Sequence, residues 1–228
     1  SEGIGKALTR DEETALLKAC ESNPLLHTAV TLALNTGLRK NEIRLLKWEQ
    51  IDFAERTLTV GKSKTAAGTG RVIPLNPPAL AAIVKWAGRF PESKAEDYVF
   101  PACENARIDT GKPDVSKIDS SRPIKEWRTA WRHALKRAGL SIRFHDTRHT
   151  LITKLAEGQA SEQTVMSVAG HVSRKMLEHY SHIRLAAKRA ALDAIAQGQN
   201  LIEGVHNTVH NQVETGNQPN EQPAKLLN

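Results

Sequence analysis

Three short stretches carry residue types and spacings capable of chemistry. In His145-Asp146-Thr147-Arg148-His149, positions three and four apart share one face of a helix, so His145 projects with Arg148 and also with His149. Two histidines at that spacing resemble a zinc-binding helix, in which a Glu between them serves as base. Here Asp146 follows the first histidine and Arg148 stands between the two, and a fixed cation beside a dication is unfavourable. Taken alone, the stretch reads as a helix start with ordinary surface histidines. In Thr36-Gly37-Leu38-Arg39-Lys40-Asn41-Glu42, Arg39 sits just past a helix break and Glu42, three residues on, can orient it. A guanidinium so held presents a planar fork of donors that matches phosphate oxygens, although an isolated surface ion pair is the commoner reading. In Ala169-Gly170-His171, the glycine lets the chain turn and leaves His171 at a helix junction. Tyr180, nine residues later, falls near the end of the next helix, where a tyrosine usually packs.

Combined, these groups suit phosphoryl transfer without a metal. A tyrosine of ordinary pKa near 10 is a poor nucleophile at neutral pH. Guanidiniums beside it stabilise both the phenolate and the charge on a pentacoordinate phosphate. An acid must protonate the departing oxygen, and a lysine in the basic loop Gly61-Lys62-Ser63-Lys64-Thr65 can reach it.

The order TGLRKNEI, a lysine-bearing loop followed by RVIPL, HDTRHT, and AGHVSRKMLEHYSH resembles the catalytic domain of the tyrosine recombinases, also called phage-type integrases, over roughly residues 9 to 195. The three residues from His145 to Arg148, the 23 to His171 and the nine to Tyr180 also look like that family's. The resemblance implies that Arg39 and Arg148 clamp the scissile phosphate, that His145 assists proton transfer, and that His171 fills the family's His/Trp position. Tyr180 would attack to form a 3′-phosphotyrosyl link, and Lys64 would be the general acid, with Lys62 as the alternative. Asp146 and His149 look structural. It further implies cleavage and rejoining of duplex DNA with no cofactor or metal, and a homotetramer on DNA that is a monomer in isolation. A type IB topoisomerase-like strand cleavage and a DNA-binding accessory factor without catalysis are the alternatives. Family members carry an N-terminal helical domain that clasps DNA from the opposite side. The match begins near residue 9, as expected of an excised catalytic fragment or a minimal protein.

The elements that must position these residues follow from local signals. Thr9 to Glu12 is a capping box opening a helix with Leu16, Leu17 and Cys20 on one face. Asn23-Pro24 breaks it, a more apolar helix runs from Leu25 to about Asn35, and Gly37 stops that helix. A short helix spans about Arg39 to Leu46. Thr57–Val60 and Arg71–Leu75 read as two strands joined by the basic loop, with Pro74 confining the second to an edge or to its last residue. Helices are expected from Pro77 to about Phe90, through Trp127, Trp131, Leu135 and Ala138 to a stop at Gly139, from His145 to about Glu157, from Ser161 to about Ala169, from Arg174 to about Tyr180, and from about Arg184 to Ala196. Tyr98–Phe100 is a short extended piece, and residues 102 to 120 read as a surface insertion. The fold class is therefore α+β, mostly helical, with a small antiparallel sheet at one edge. Residues 1–198 would form the catalytic domain and 199–228 a polar tail. Leu201, Ile202, Val205, Val209 and Val213 would give that tail one apolar stripe able to dock on a neighbouring subunit.

Composition excludes several other classes. The 228 residues are 39% hydrophobic, enough for a core, and lack any apolar run long enough for a membrane span or a signal peptide. Two cysteines cannot build a disulfide framework or a four-ligand zinc site, which fits a reducing, intracellular setting, and the family resemblance implies a cytoplasmic protein, bacterial or phage-encoded and nucleoid-associated. At 4% aromatic, the chain lacks the stacking platforms of single-strand binders. The net charge is +7, and it is concentrated: between Arg122 and Arg143 there are seven Lys or Arg against one acid, Glu126. That segment, through Arg122, Lys125, Arg128 and Arg132, is expected to contact DNA phosphates together with Lys62.

Overall fold

The computed structural model describes residues 5–63, 68–103, 118–158, 160–170, 172, 185, 189 and 192–196. Residues 1–183 make one unit, and those from 184 onward belong to a second, in which residues 185, 189 and 192–196 are helical. In the first unit, α1 (Arg10–Cys20) opens on Thr9 with both halves of the capping box formed. Helix α2 (Pro24–Thr36) follows, with the Asn23 side chain capping its N-terminus and Gly37 ending it in the left-handed region, φ 64°. Ten of the thirteen α2 residues are buried, so this helix is the centre of the fold. It packs against α1, α4 (Pro77–Ala87) and α6 (Asp146–Glu157). A Cβ at Gly37 would lie 2.9 Å from Leu151 Cδ2, so the glycine both reverses the chain and admits α6.

A short α3 (Lys40–Arg44) and a 3-10 turn lead into the sheet. Its strands β1 (Ile51–Asp52), β2 (Thr57–Thr59) and β3 (Val72–Pro74) are antiparallel in the order β1-β2-β3. Pro74 is the last residue of an edge strand, where its missing N–H costs no ladder bond. Beyond α4, the extended piece begins at β4 (Pro101–Cys103) rather than at Tyr98, which forms only an isolated bridge with Lys47. The last three residues of the expected insertion, 118–120, begin β5 (Ile118–Pro123), which pairs with β4 and carries Arg122. Of that insertion, 104–117 lie outside the described residues.

Helices α5 (Arg128–Ala138) and α7 (Glu162–Ala169) complete the described elements. The core runs along α2 into an aromatic chain of Trp86, Phe100, Trp127 and Phe144 in successive ring contact. A smaller cluster of Ile152, Ala156, Val165, Ala169 and Val172 joins α6 to α7. Cys20 is fully buried, and burial pushes its thiol up to about 12, so it is a packing residue. Ahead of α1, residues 5–8 lie against the start of α6: the Leu8 N–H donates to Thr150 Oγ1 at 3.0 Å, and a Cβ on Gly5 would be 2.2 Å from the His149 ring. Among the described residues, no helix is long and apolar enough to cross a membrane. The expected helix at 174–180 and the tail at 199–228 lie outside the described residues.

Candidate active site: an arginine pair organised by a buried glutamate

Arg39 is the N-cap of α3, and two hydrogen bonds fix it. Its backbone N–H donates to Glu42 Oε2 at 2.8 Å, and its Nη1 donates to Glu42 Oε1 at 2.9 Å. The spacing of three expected from the sequence thus does orient Arg39. The Glu42 side chain is only 3% exposed and Arg39 is 20% exposed, so the carboxylate is inside and the guanidinium reaches outward. Glu42 also accepts from Ser63 Oγ at 2.6 Å and from Arg71 Nη1 and Nη2 at 3.2 and 2.7 Å. Burial alone would raise its pKa. The hydrogen bonds from Arg71, Ser63 and the Arg39 amide, with the Arg71 charge, overcome that and hold the carboxyl at about 2. An acid that stays ionised at neutral pH therefore serves two guanidiniums.

Arg148 comes from the first turn of α6 and is 2% exposed. Its Nη1 donates to the Gly37 carbonyl at 2.8 Å, two residues before Arg39. The end of α2 is therefore the shared anchor that brings together arginines 109 positions apart in sequence. Around Arg148, polar groups of the HDTRHT segment bond within it and to the residues just before it. Asp146 accepts from the Arg143 N–H and guanidinium at 2.8 and 3.0 Å, Thr147 Oγ1 donates to the Phe144 carbonyl, and Thr150 Oγ1 donates to that of Asp146. Asp146 is buried, which agrees with a structural role for it.

His145 is the N-cap residue of α6 and is solvent-exposed. Desolvation by the atoms crowding the ring, then the charges of Arg148 and Arg39, lower its pKa, so the imidazole is neutral at neutral pH and can accept a proton. His149 lies inside, 5% exposed, with its ring edge-to-face against His145 at 5.1 Å. Burial first, then His145, hold it down at about 4. The two rings pack on each other rather than converging on a point, and no group of three His, Cys, Asp or Glu among the described residues is placed to hold a metal.

The loop after β2 reaches the same site. Lys62 is exposed and lines a cleft of about 580 Å³ with Glu42, Lys47 and Tyr98. Lys64, His171 and Tyr180 lie outside the described residues. Arg71 has no place in the sequence-derived constellation, although its guanidinium, 6% exposed, is the main partner of Glu42. Its partners Glu42 and Val168 are 29 and 97 residues away in sequence, and no local spacing signals them.

The basic segment is less uniform than its composition. Lys125, Arg128 and Arg132 are exposed. Arg122 pairs with Asp119, three residues earlier on β5. Arg137 donates through Nε and Nη2 to the Ala19 carbonyl, near the end of α1, and to Ser22 Oγ, which satisfies a helix-end carbonyl. Arg143 serves Asp146.

The scaffold thus brings together one arginine at the start of a short helix and a second from a distant helix, both anchored around the end of α2. The phage integrase family matches residues 6–186, and the chain belongs to that family. It is 30% identical over 174 residues to the integrase of Salmonella phage P22, covering 75% of this chain and 42% of that one. It is 26% identical over 202 residues to tyrosine recombinase XerA of Pyrococcus furiosus, covering 88% and 65%. Among solved structures, the fold is similar to a XerA recombinase (TM-score 0.60, 21% identity, 84% of this chain and 66% of that chain). It is also similar to the catalytic domain of bacteriophage HP1 integrase (TM-score 0.56, 17% identity, 83% and 95%). The chain spans about two fifths to two thirds of the length of these curated relatives.

Proposed function

We propose that this chain is the catalytic domain of a site-specific DNA recombinase that cleaves and rejoins duplex DNA through a 3′-phosphotyrosyl intermediate. The observation that carries the reading is the pair Arg39 and Arg148, one held by the ionised Glu42 and the other by the Gly37 carbonyl. Donors fixed before the substrate arrives stabilise the charge that builds on phosphate oxygens without reorganising at the moment of reaction. Relatives named as integrase, shufflon-specific DNA recombinase and tyrosine recombinase support it. So does a solved lambda integrase dimer, 25% identical, bound to a core site.

In this reading Arg39 and Arg148 clamp the two non-bridging oxygens. The neutral His145 takes the proton of the attacking Tyr180 hydroxyl, and His171 adds a donor to the phosphate. As the Tyr180 oxygen bonds to phosphorus, the 5′ oxygen leaves with a proton from Lys64, or from Lys62. The phosphotyrosyl ester keeps the energy of the broken bond for rejoining. Lys62, Lys125, Arg128 and Arg132 contact backbone phosphates, with Arg122 beside them. Residues 1–198 form the catalytic unit, and residues 199–228 dock on a neighbouring copy in a tetramer on DNA.

The test begins with duplexes selected for binding from a randomised pool and then nicked near the cleavage position, so that the released fragment diffuses away and traps the adduct. The chain should form a denaturant-resistant protein–DNA adduct. Tyr180→Phe should bind the same duplex and form none. An adduct in the Phe variant removes Tyr180 as the nucleophile.

A further inference from the structure

Arg71 reaches several separate parts of the fold with one side chain. Its Nη1 donates to the Gly68 carbonyl at 2.7 Å, which fastens the far side of the basic loop. On the near side, the Ser63 N–H donates to Thr69 Oγ1 at 3.0 Å and Ser63 Oγ donates to Glu42. The neck of the loop is thus closed over the same carboxylate that holds Arg39. The Arg71 Nε donates to the Val168 carbonyl at 3.1 Å, in the last turn of α7. Gly170, two residues on, has φ 71° and ψ −149°, a region only glycine adopts readily. A Cβ there would meet both Arg71 Nη1 and Gly68 Cα at 3.4 Å. Lys64 is the residue after Ser63, and His171 the residue after Gly170.

We propose that Arg71 is a positioning residue that locks the neck of the 61–70 loop, the Arg39-bearing start of α3 and the C-terminal end of α7 into one frame, so that the loop lysine and the histidine after α7 are presented together to the arginine pair. A guanidinium is the group that can do this. It is planar, always charged and carries five donors, whose contacts here diverge onto the loop, α3 and α7. A lysine ammonium can keep the Glu42 contact but cannot also span Gly68 and Val168 in fixed geometry. Arg71 does not touch the phosphate in this assignment. It acts through the groups it positions, the loop lysine among them, and the assignment rests on the function proposed above.

The experiment compares two nicked duplexes of the selected sequence that differ only in the 5′ leaving atom, oxygen or sulfur. Sulfur departs without needing a proton. Loss of a positioned general acid costs about 100-fold or more. Arg71→Ala should therefore lose that factor or more in adduct rate on the oxygen substrate, and the sulfur substrate should restore about 100-fold of it, leaving only the share lost through Arg39 and the histidine. Arg71→Lys should show the same split, smaller in size, and serves if the alanine variant fails to fold. An equal loss on both substrates overturns the proposal, because a general structural weakening does not distinguish leaving atoms. Amide hydrogen exchange provides a second readout, independent of activity. Exchange should quicken in both 61–70 and 166–170 while α2 and α5 stay protected. Faster exchange in the loop alone shows that Arg71 does not tie it to α7 and also overturns the proposal. Failure of the recombinase reading itself shows differently, as no adduct from the unsubstituted chain, and the exchange experiment then still decides the tether.

Discussion

Two arginine-rich regions of this molecule use the same side chain in opposite ways. Around Glu42, Arg39 and Arg71 share a carboxylate that is 3% exposed, and Arg148 is itself buried on a backbone carbonyl. Between Arg122 and Arg143, by contrast, Arg128 and Arg132 stand on the solvent face of α5. In the first region solvent is displaced and every contact has fixed geometry, so charge interactions are strong and each partner is needed. In the second, the charges are screened by salt and carry long side chains of high entropy, so each contributes little and none depends on its neighbour. Transition-state chemistry requires the first arrangement, and sliding or searching along a polyanion is served by the second.

The contrast is broken most severely at the proposed phosphate clamp. Arg148→Ala or Arg39→Ala should lower the rate of adduct formation by about 100- to 1,000-fold, the usual size for removing one preorganised donor, with a smaller change in duplex affinity measured by titration. Arg148→Lys should also be impaired, because an ammonium lacks the bidentate fork. Unchanged adduct rates in these variants would return both residues to the category of structural ion pairs.

Glu42→Gln attacks the same region through its organiser. The glutamate has a folded pKa of about 2 against an ordinary value of 4.5, so its contribution is fully present above the ordinary value and is lost as pH falls toward 2. A shift of that size corresponds to about 3 kcal/mol. The variant should unfold at lower denaturant concentration at pH 7, by about that amount in free energy, and should show less of the acid sensitivity of the unsubstituted chain between pH 4.5 and 2. Equal stability of the two proteins at pH 7 would show that the two guanidiniums find other partners.

The smallest effects belong to the exposed face. Arg128→Ala and Arg132→Ala should each weaken duplex binding modestly and reduce the slope of log affinity against log salt by about 0.9 for each phosphate no longer neutralised. The adduct rate at saturating DNA should be unchanged. A rate defect at saturation would mean that α5 takes part in the chemistry and that the two regions are not separate.

The elements legible in the sequence are those whose signals are local. Thr9 with Glu12, Asn23-Pro24, Gly37 and Gly139 mark helix ends by residues within a turn of each other, and the structure begins or ends its helices there. Glu42 as the orienter of Arg39 is legible for the same reason. The β4–β5 ribbon is not: Ile118–Pro123, IDSSRP, has no alternation of apolar and polar residues, and its pairing is set by chain that lies about 15 or more residues away. Arg71 is hidden because it reads as an ordinary residue at a strand start, while its contacts come from α3 and α7. Composition misleads where it counts charge without asking what each charge does: Arg137 closes α1 and Arg143 holds Asp146. With Arg122 paired to Asp119, at least three of the seven cations in the basic segment are therefore engaged within the fold.

The segment ahead of α1 has a mechanical consequence. The Leu8 N–H is bonded to Thr150, and the Gly5 backbone is in contact with the His149 ring. Both partners lie in the first two turns of the helix that carries His145 and Arg148. Displacement of the chain at residues 5–8 is thereby coupled to the start of α6 through one hydrogen bond and one close packing contact. The chain entering α1 and the helix carrying the arginine–histidine pair are tied at that point.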